Sequence, residues 1–254
     1  MKLVYFLWVP VVACSSSNSP SLLSSIDSLK KYSCYISGYN GESLIKGTGF
    51  FVRTNDKIFF ITSKHLISPY DTSCNQLQSP NYWTIFMPDT AGNGKFTSLK
   101  IDLKKTQNAI TCPFTPDIVS IKMNDSIGDR INYIDSRIIP LPISQTEDSV
   151  AVYGYPYFYK GNTRTYLLKP TAYIVGVCQI TTDVSNNVNC RFISENIDMN
   201  DSLKGYSGAP VFGKSSDTGK WQFIGCWLSA SRHNRSMTLI KPATIFGKII
   251  DKEQ

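Results

Sequence analysis

Apolar residues in this chain fall in short runs of strand length, punctuated by turn-forming residues. Residues 32–39 and 44–53 flank Asn40-Gly41, a pair that tolerates the positive φ of a tight hairpin turn. A run at 58–62 follows the turn residues 54–57 and completes a three-strand meander; runs at 82–87, 97–103 and 118–123 add further strands. After a stretch containing Pro140, Pro142, Glu147 and Asp148, the pattern resumes at 150–153, which ends at Gly154-Tyr155-Pro156. It continues through 166–168, 172–180, 188–193, 209–212, 221–228 and 237–240. A helical pattern appears only near the C-terminus, where Pro242 suits a first turn and Ile245, Phe246, Ile249 and Ile250 share one face. Strand upon strand, closed by one short helix, predicts an all-β fold of two small antiparallel barrels with a site in their cleft. No internal repeat is visible in the sequence.

The chain has 254 residues, of which 42% are apolar and only 18% charged, the latter below the usual level of about a quarter. Ser, Thr, Asn and Tyr take up the difference, as in secreted or surface proteins. The net charge of +7 is spread over separate clusters: Lys30-Lys31, Lys104-Lys105 and Arg232-His233-Asn234-Arg235. These read as solvated surface, because nucleic-acid binding needs a denser basic stripe. No CxxC pair or clustered Cys/His spacing suggests a metal site, and nothing points to a cofactor.

The first residues form a separate unit. Lys2 precedes an eleven-residue apolar stretch at 3–13, too short to span a bilayer but suited to a signal-peptide core. Val11-Val12-Ala13-Cys14 resembles a bacterial lipobox, which implies a lipidated Cys14 as the new N-terminus, followed by the tether Ser15-Ser16-Ser17-Asn18-Ser19-Pro20. A plain secretory signal is the alternative, since Val11 replaces the usual leucine. Either reading exports the protein. The expected division is 1–13 signal peptide, 14–31 lipidated cysteine and flexible tether, 32–143 N-terminal barrel, and 144–254 C-terminal barrel with the terminal helix. With Cys14 lipidated, six cysteines remain (Cys34, Cys74, Cys112, Cys178, Cys190 and Cys226), which allow fifteen disulfide connectivities. Cys178 and Cys190 flank an expected hairpin with Ser185-Asn186-Asn187 near its tip and are candidates for a cross-strand bridge, whereas Cys226, in an apolar run, reads as a buried thiol.

Three motifs carry chemistry. In Gly205-Tyr206-Ser207-Gly208-Ala209-Pro210-Val211, glycines around a serine let a hydroxyl and backbone amides converge on one small volume. Upstream lie Ile61-Thr62-Ser63-Lys64-His65-Leu66-Ile67 and Thr115-Pro116-Asp117-Ile118-Val119-Ser120-Ile121. Each alone has a plain reading as a turn, a structural histidine or a cap. His65 is one of only two histidines, and the other, His233, follows the serine in a polar loop. In the order histidine, aspartate, serine these motifs resemble the chymotrypsin-like serine proteases, over roughly residues 35–250. The likeness is closest to bacterial members, with Thr-x-x-His after an apolar strand, Asp-Ile at a strand start and Gly-x-Ser-Gly-x-Pro-Val; Ala209 stands where the common motif has glycine.

The resemblance implies two six-stranded antiparallel β-barrels, Ser207 as nucleophile, His65 as general base, Asp117 as its orienting carboxylate, and an oxyanion hole from the backbone amides of Gly205 and Ser207. It also implies a protein or peptide substrate and a monomeric enzyme, while the lipobox resemblance implies an anchor to the membrane through Cys14, facing the periplasm or the exterior. Tyr206 replaces the aspartate that, in the digestive enzymes, pairs with a freed N-terminus, which implies activity without that cleavage. Counting back without gaps, Asp201 falls at the position that gives trypsin its preference for Lys or Arg. Ala230 lies on the strand expected to line the pocket, and Arg232 and Arg235 directly after it favour acidic substrates instead, so specificity stays open. A catalytically silent surface lipoprotein that binds a partner through the same barrels is the alternative function; an esterase is disfavoured because its usual fold is rich in helices.

Overall fold

The computed structural model of the chain describes residues 26–39, 44–66, 81–89, 95–103, 117–136, 148–155, 157–160, 163–166, 172–182, 188–192, 205–214, 219–231, 236–240 and 245. The N-terminal half contains β1 (Cys34–Tyr39), β2 (Leu44–Thr54), β3 (Lys57–Thr62), β4 (Tyr82–Pro88), β5 (Phe96–Asp102), β6 (Val119–Lys122) and β7 (Tyr133–Asp135). The C-terminal half contains β8 (Asp148–Gly154), β9 (Tyr157–Lys160), β10 (Thr163–Tyr166), β11 (Ala172–Thr182), β12 (Val188–Phe192), β13 (Pro210–Lys214), β14 (Trp221–Ser231) and β15 (Ser236–Ile240). The all-β expectation holds.

The two halves share one strand order. The first runs β5-β4-β1-β2-β3-β6, and the second closes as β11-β12-β15-β14-β13-β8. Setting aside the small β9–β10 hairpin and counting the ladder strands of each half from its own first strand, both read 5-4-1-2-3-6. This is a repeat of topology with no trace in the residues. The expected pair of six-stranded barrels is corrected in one respect. Among the described residues only the second half closes, and the first is a seven-stranded sheet in which β7 adds to β2 in parallel, with Phe51 opposite Tyr133.

The β2–β3 hairpin explains how the halves join. Asn55 and Asp56, at φ 48° and 60°, make its two-residue turn, a conformation that short polar side chains tolerate. Side chains alternate across a strand, and here both faces are buried. Phe51, Ile58 and Phe60 enter the core of the N-terminal half with Ile36, Trp83 and Ile85. Phe50, Val52, Phe59 and Ile61 enter a second core with Ala151, Tyr153, Phe212 and Phe223 from the other half. Burial on two faces is why these strands read as continuous apolar runs. The Phe50 and Phe223 rings lie 5.3 Å apart across this junction.

Part of the stretch expected to be a tether is packed against the core. A 3-10 helix at Ile26–Tyr32 buries Leu29 completely, and its Tyr32 ring lies 5.8 Å from Phe212. Residues three apart share a face of such a helix, so Leu29 and Tyr32 reach the core together. Just beyond it, Ser33 Oγ donates to Tyr153 O (2.7 Å) and Tyr155 Oη donates to Ser33 O (3.2 Å). The expected signal peptide, Cys14 and the expected tether at 15–20 lie outside the described residues, as does the expected terminal helix apart from Ile245, which is helical and buried.

The expected Cys178–Cys190 bridge does not fit the register. Cys178 faces Phe192 and Cys190 faces Ile180, a diagonal offset of two residues. Diagonal neighbours stand about 7–8 Å apart, beyond the usual disulfide span of about 4.4–6.8 Å between Cα atoms. Cys34 and Cys226 are free, buried thiols; Cys74 and Cys112 lie outside the described residues.

Candidate active site

His65 sits in a 3-10 turn, Lys64–Leu66, that begins two residues past the end of β3. Asp117 lies two residues before β6, the strand hydrogen-bonded to β3, so sheet pairing brings the two together across 52 positions of sequence. They meet twice. The His65 backbone N–H donates to Asp117 Oδ1 at 2.9 Å, and His65 Nδ1 lies 2.5 Å from Asp117 Oδ2. A carboxylate only accepts, so this contact calls for a proton on Nδ1, and in the neutral ring the lone pair then lies on Nε2. Lys64 N also donates to Asp117 O at 3.4 Å, tying the turn to the aspartate's backbone. The side chains of His65 and Asp117 are 40% and 31% exposed, so the pair is open on one side.

Ser207 reaches the same region through its backbone. Its carbonyl accepts from Thr48 N of β2 (3.1 Å), and Thr48 O accepts from Thr62 Oγ1 (2.7 Å), three residues before His65. Gly208 N donates to Trp227 O (3.1 Å), while Ala209 N donates to Tyr206 O (2.8 Å) and Trp227 N to Ala209 O (2.8 Å). The loop is thus held between β2 and β14. Gly205 and Gly208 adopt φ of 98° and 83°, which a side chain would strain. At Gly208 a Cβ would also meet Thr48 O, Thr62 Oγ1 and Ser63 N, so the serine loop lies directly against the approach to His65.

The Gly205 carbonyl accepts from Thr48 Oγ1 (2.6 Å), and that oxygen in turn accepts from Tyr155 N (3.1 Å). Tyr206 is buried, its ring 5.4 Å from that of Trp227. Cys226, beside Trp227, is a fully buried thiol whose ionisation is pushed up by burial and, to a lesser degree, by the Asp117 carboxylate. Asp201 and Arg232 to Arg235 lie outside the described residues; Ala230 lies on β14 opposite Met237 of β15. Among the described residues no group of three or more His, Cys, Asp or Glu is placed to hold a metal ion.

Sequence reading missed Thr48 and Tyr155. The signal was the tripeptide Gly47-Thr48-Gly49 inside a strand, since glycines there often mark a close approach of another backbone.

No family model matches this sequence, and no curated protein matches it. Solved structures do resemble it. A thermostable serine protease, AL20, from an extremophilic microorganism superposes with a TM-score of 0.52 at 10% identity, covering 86% of this chain and 95% of its own. A Glu endopeptidase gives 0.50 at 18% identity, covering 88% and 90%. Tobacco etch virus protease bound to its product gives 0.50 at 11% identity, covering 90% and 80%. At these identities the likeness concerns architecture, and the chain has the fold of the chymotrypsin-like serine proteases.

Proposed function

We propose that this chain is an exported, lipid-anchored serine endopeptidase that cleaves peptide bonds through an acyl-enzyme. The observation that carries this reading is the two-point His65–Asp117 pair beside a serine loop bonded to the same hairpin. In this reading Ser207 Oγ attacks the scissile carbonyl and His65 Nε2 takes its proton. Asp117 keeps the imidazole in the required tautomer and stabilises its protonated form. The N–H groups of Gly205 and Ser207 stabilise the oxyanion, and His65 returns the proton to the leaving amine. A water then attacks the acyl carbonyl as His65 takes its proton, and His65 returns that proton to Ser207 Oγ as the acyl–oxygen bond breaks and the acid product leaves. The buried, uncharged Tyr206 needs no partner from a freed N-terminus, which supports activity without that cleavage.

Export and anchoring rest on the sequence at 2–20. The aspartate at 201 and the arginines at 232 and 235 argue for opposite substrates, so the specificity test is an unbiased one. Purified protein should react with a fluorophosphonate, Ser207→Ala should not, and a peptide library should be cleaved with a definable preference. An unreactive wild type overturns the nucleophile; reactivity without peptide cleavage makes the protein an esterase. For the anchor, metabolic palmitate labelling should disappear in Cys14→Ala, and its persistence would remove the lipidation site.

A further inference from the structure

We propose that Thr48 is a positioning residue of the acylation centre. It holds the peptide planes on either side of the Tyr206–Ser207 peptide, so that the N–H group of Ser207 stays turned toward the forming oxyanion. This rests on the reading of Ser207 as nucleophile.

Thr48 is fully buried, and one residue ties four segments of chain together. Its backbone N–H donates to Ser207 O, its carbonyl accepts from Thr62 Oγ1, and its hydroxyl bridges Tyr155 N and Gly205 O. The hydroxyl has a single proton. Tyr155 N–H can only donate, so it occupies a lone pair of Oγ1 and the proton is left for the Gly205 carbonyl. The side chain is therefore oriented as well as present.

Peptide units are planar, so a bonded carbonyl fixes its whole plane. Three consecutive planes of the serine loop are fixed in this way. Gly205 O is held by Thr48 Oγ1, Tyr206 O by Ala209 N, and Ser207 O by Thr48 N. In a trans peptide the N–H points opposite to the carbonyl, so the bond to Tyr206 O turns the Ser207 N–H away from Ala209. Thr48 supplies the bonds on either side of that central plane. Gly205, with φ 98° and no side chain, has no steric barrier of its own to hold its orientation. Without the hydroxyl, the Gly205 C=O and the Tyr155 N–H would both lose a buried partner, and the loop's first plane could turn. Through Thr62, the same residue also ties the serine loop to the strand that delivers His65.

The test compares Thr48→Val, which keeps the shape and removes the hydroxyl, with Thr48→Ser, which keeps the hydroxyl. The readout is the pre-steady-state burst with p-nitrophenyl acetate, in which amplitude counts competent sites and the rate constant reports acylation at each of them. Thr48→Val should keep its burst amplitude, lose about tenfold to a hundredfold in acylation rate constant, and keep the pH midpoint of wild type, because the His65–Asp117 pair is untouched. Thr48→Ser should stay within about threefold of wild type. An unchanged rate constant in Thr48→Val overturns the proposal, as does a reduced amplitude with normal chemistry in the remaining sites, which would make Thr48 purely structural. Should Thr48→Val not fold, Thr48→Ala carries the same comparison. A wild type with neither burst nor fluorophosphonate labelling would instead remove the nucleophile, and the role of Thr48 with it.

Discussion

Tyr206 fills the space that a side chain at position 154 would need. A Cβ on Gly154 would sit 2.5 Å from Tyr206 Cδ1 and 3.0 Å from Cε1. Because Tyr206 also packs on Trp227, the end of β8, the residue before Ser207 and the strand beside the serine loop are locked together. Gly154→Ala should therefore cost about 1–3 kcal/mol by overpacking and slow fluorophosphonate labelling of Ser207. In urea unfolding, Gly154→Ala combined with Tyr206→Ala should cost less than the sum of the two single changes, since the second removes the clash made by the first.

Asp117→Asn tests the orienting carboxylate. An amide nitrogen cannot accept, so the variant cannot satisfy both the His65 backbone N–H and Nδ1–H, and the imidazole loses its preferred tautomer. The expected loss in kcat is about ten-thousandfold, with circular dichroism unchanged. Steady-state cleavage of a library-derived peptide measures it.

Two glycines with similar backbones separate strain from crowding. Gly219 has φ 64°, and a Cβ there would meet nothing within 4 Å, whereas a Cβ on Gly208 would meet backbone on two sides. Gly219→Ala should cost only the backbone penalty, about 1–2 kcal/mol. Gly208→Ala should cost more and should also abolish Ser207 labelling. Urea midpoints for the two variants decide this.

Alkaline stability reports the buried thiols. Burial raises the ionisation of Cys34 and Cys226 well above the ordinary thiol value of 9.0. Each therefore keeps its proton in the folded state while the unfolded chain loses it, so their contribution is complete below pH 9.0 and is lost as pH rises. Unfolding free energy should fall by about 1.4 kcal/mol per pH unit per thiol above that point. The Cys34→Ala/Cys226→Ala variant should show a shallower alkaline slope in urea titrations, whatever its stability at pH 8.

Strand positions were legible because their cues are local. The runs at 44–53 and 58–62 correspond to β2 and β3 within a residue or two, and Asn55-Asp56 turns between them as short polar residues at positive φ can. The three motifs were legible because a candidate base, its candidate carboxylate partner and a serine between glycines each need particular residue types. What escaped were features set by partners distant in the chain. The parallel β7, the diagonal offset of Cys178 and Cys190, and the burial of Leu29 all depend on register and on which surface lies opposite. Thr48 escaped for the same reason, since its residue type offers only a hydroxyl.

By itself, the sequence determined that the chain is built of strands and singled out His65, Asp117 and Ser207 as candidate chemistry-bearing residues, because alternation, turn propensity and side-chain chemistry belong to single residues and their neighbours. The tertiary structure alone decided which of them meet. His65 contacts Asp117 across 52 positions, and Thr48 contacts Gly205 across 157. Contacts at such separations follow from sheet register and from the packing of Phe50, Phe212 and Phe223 between the halves, which is a property of the whole folded chain.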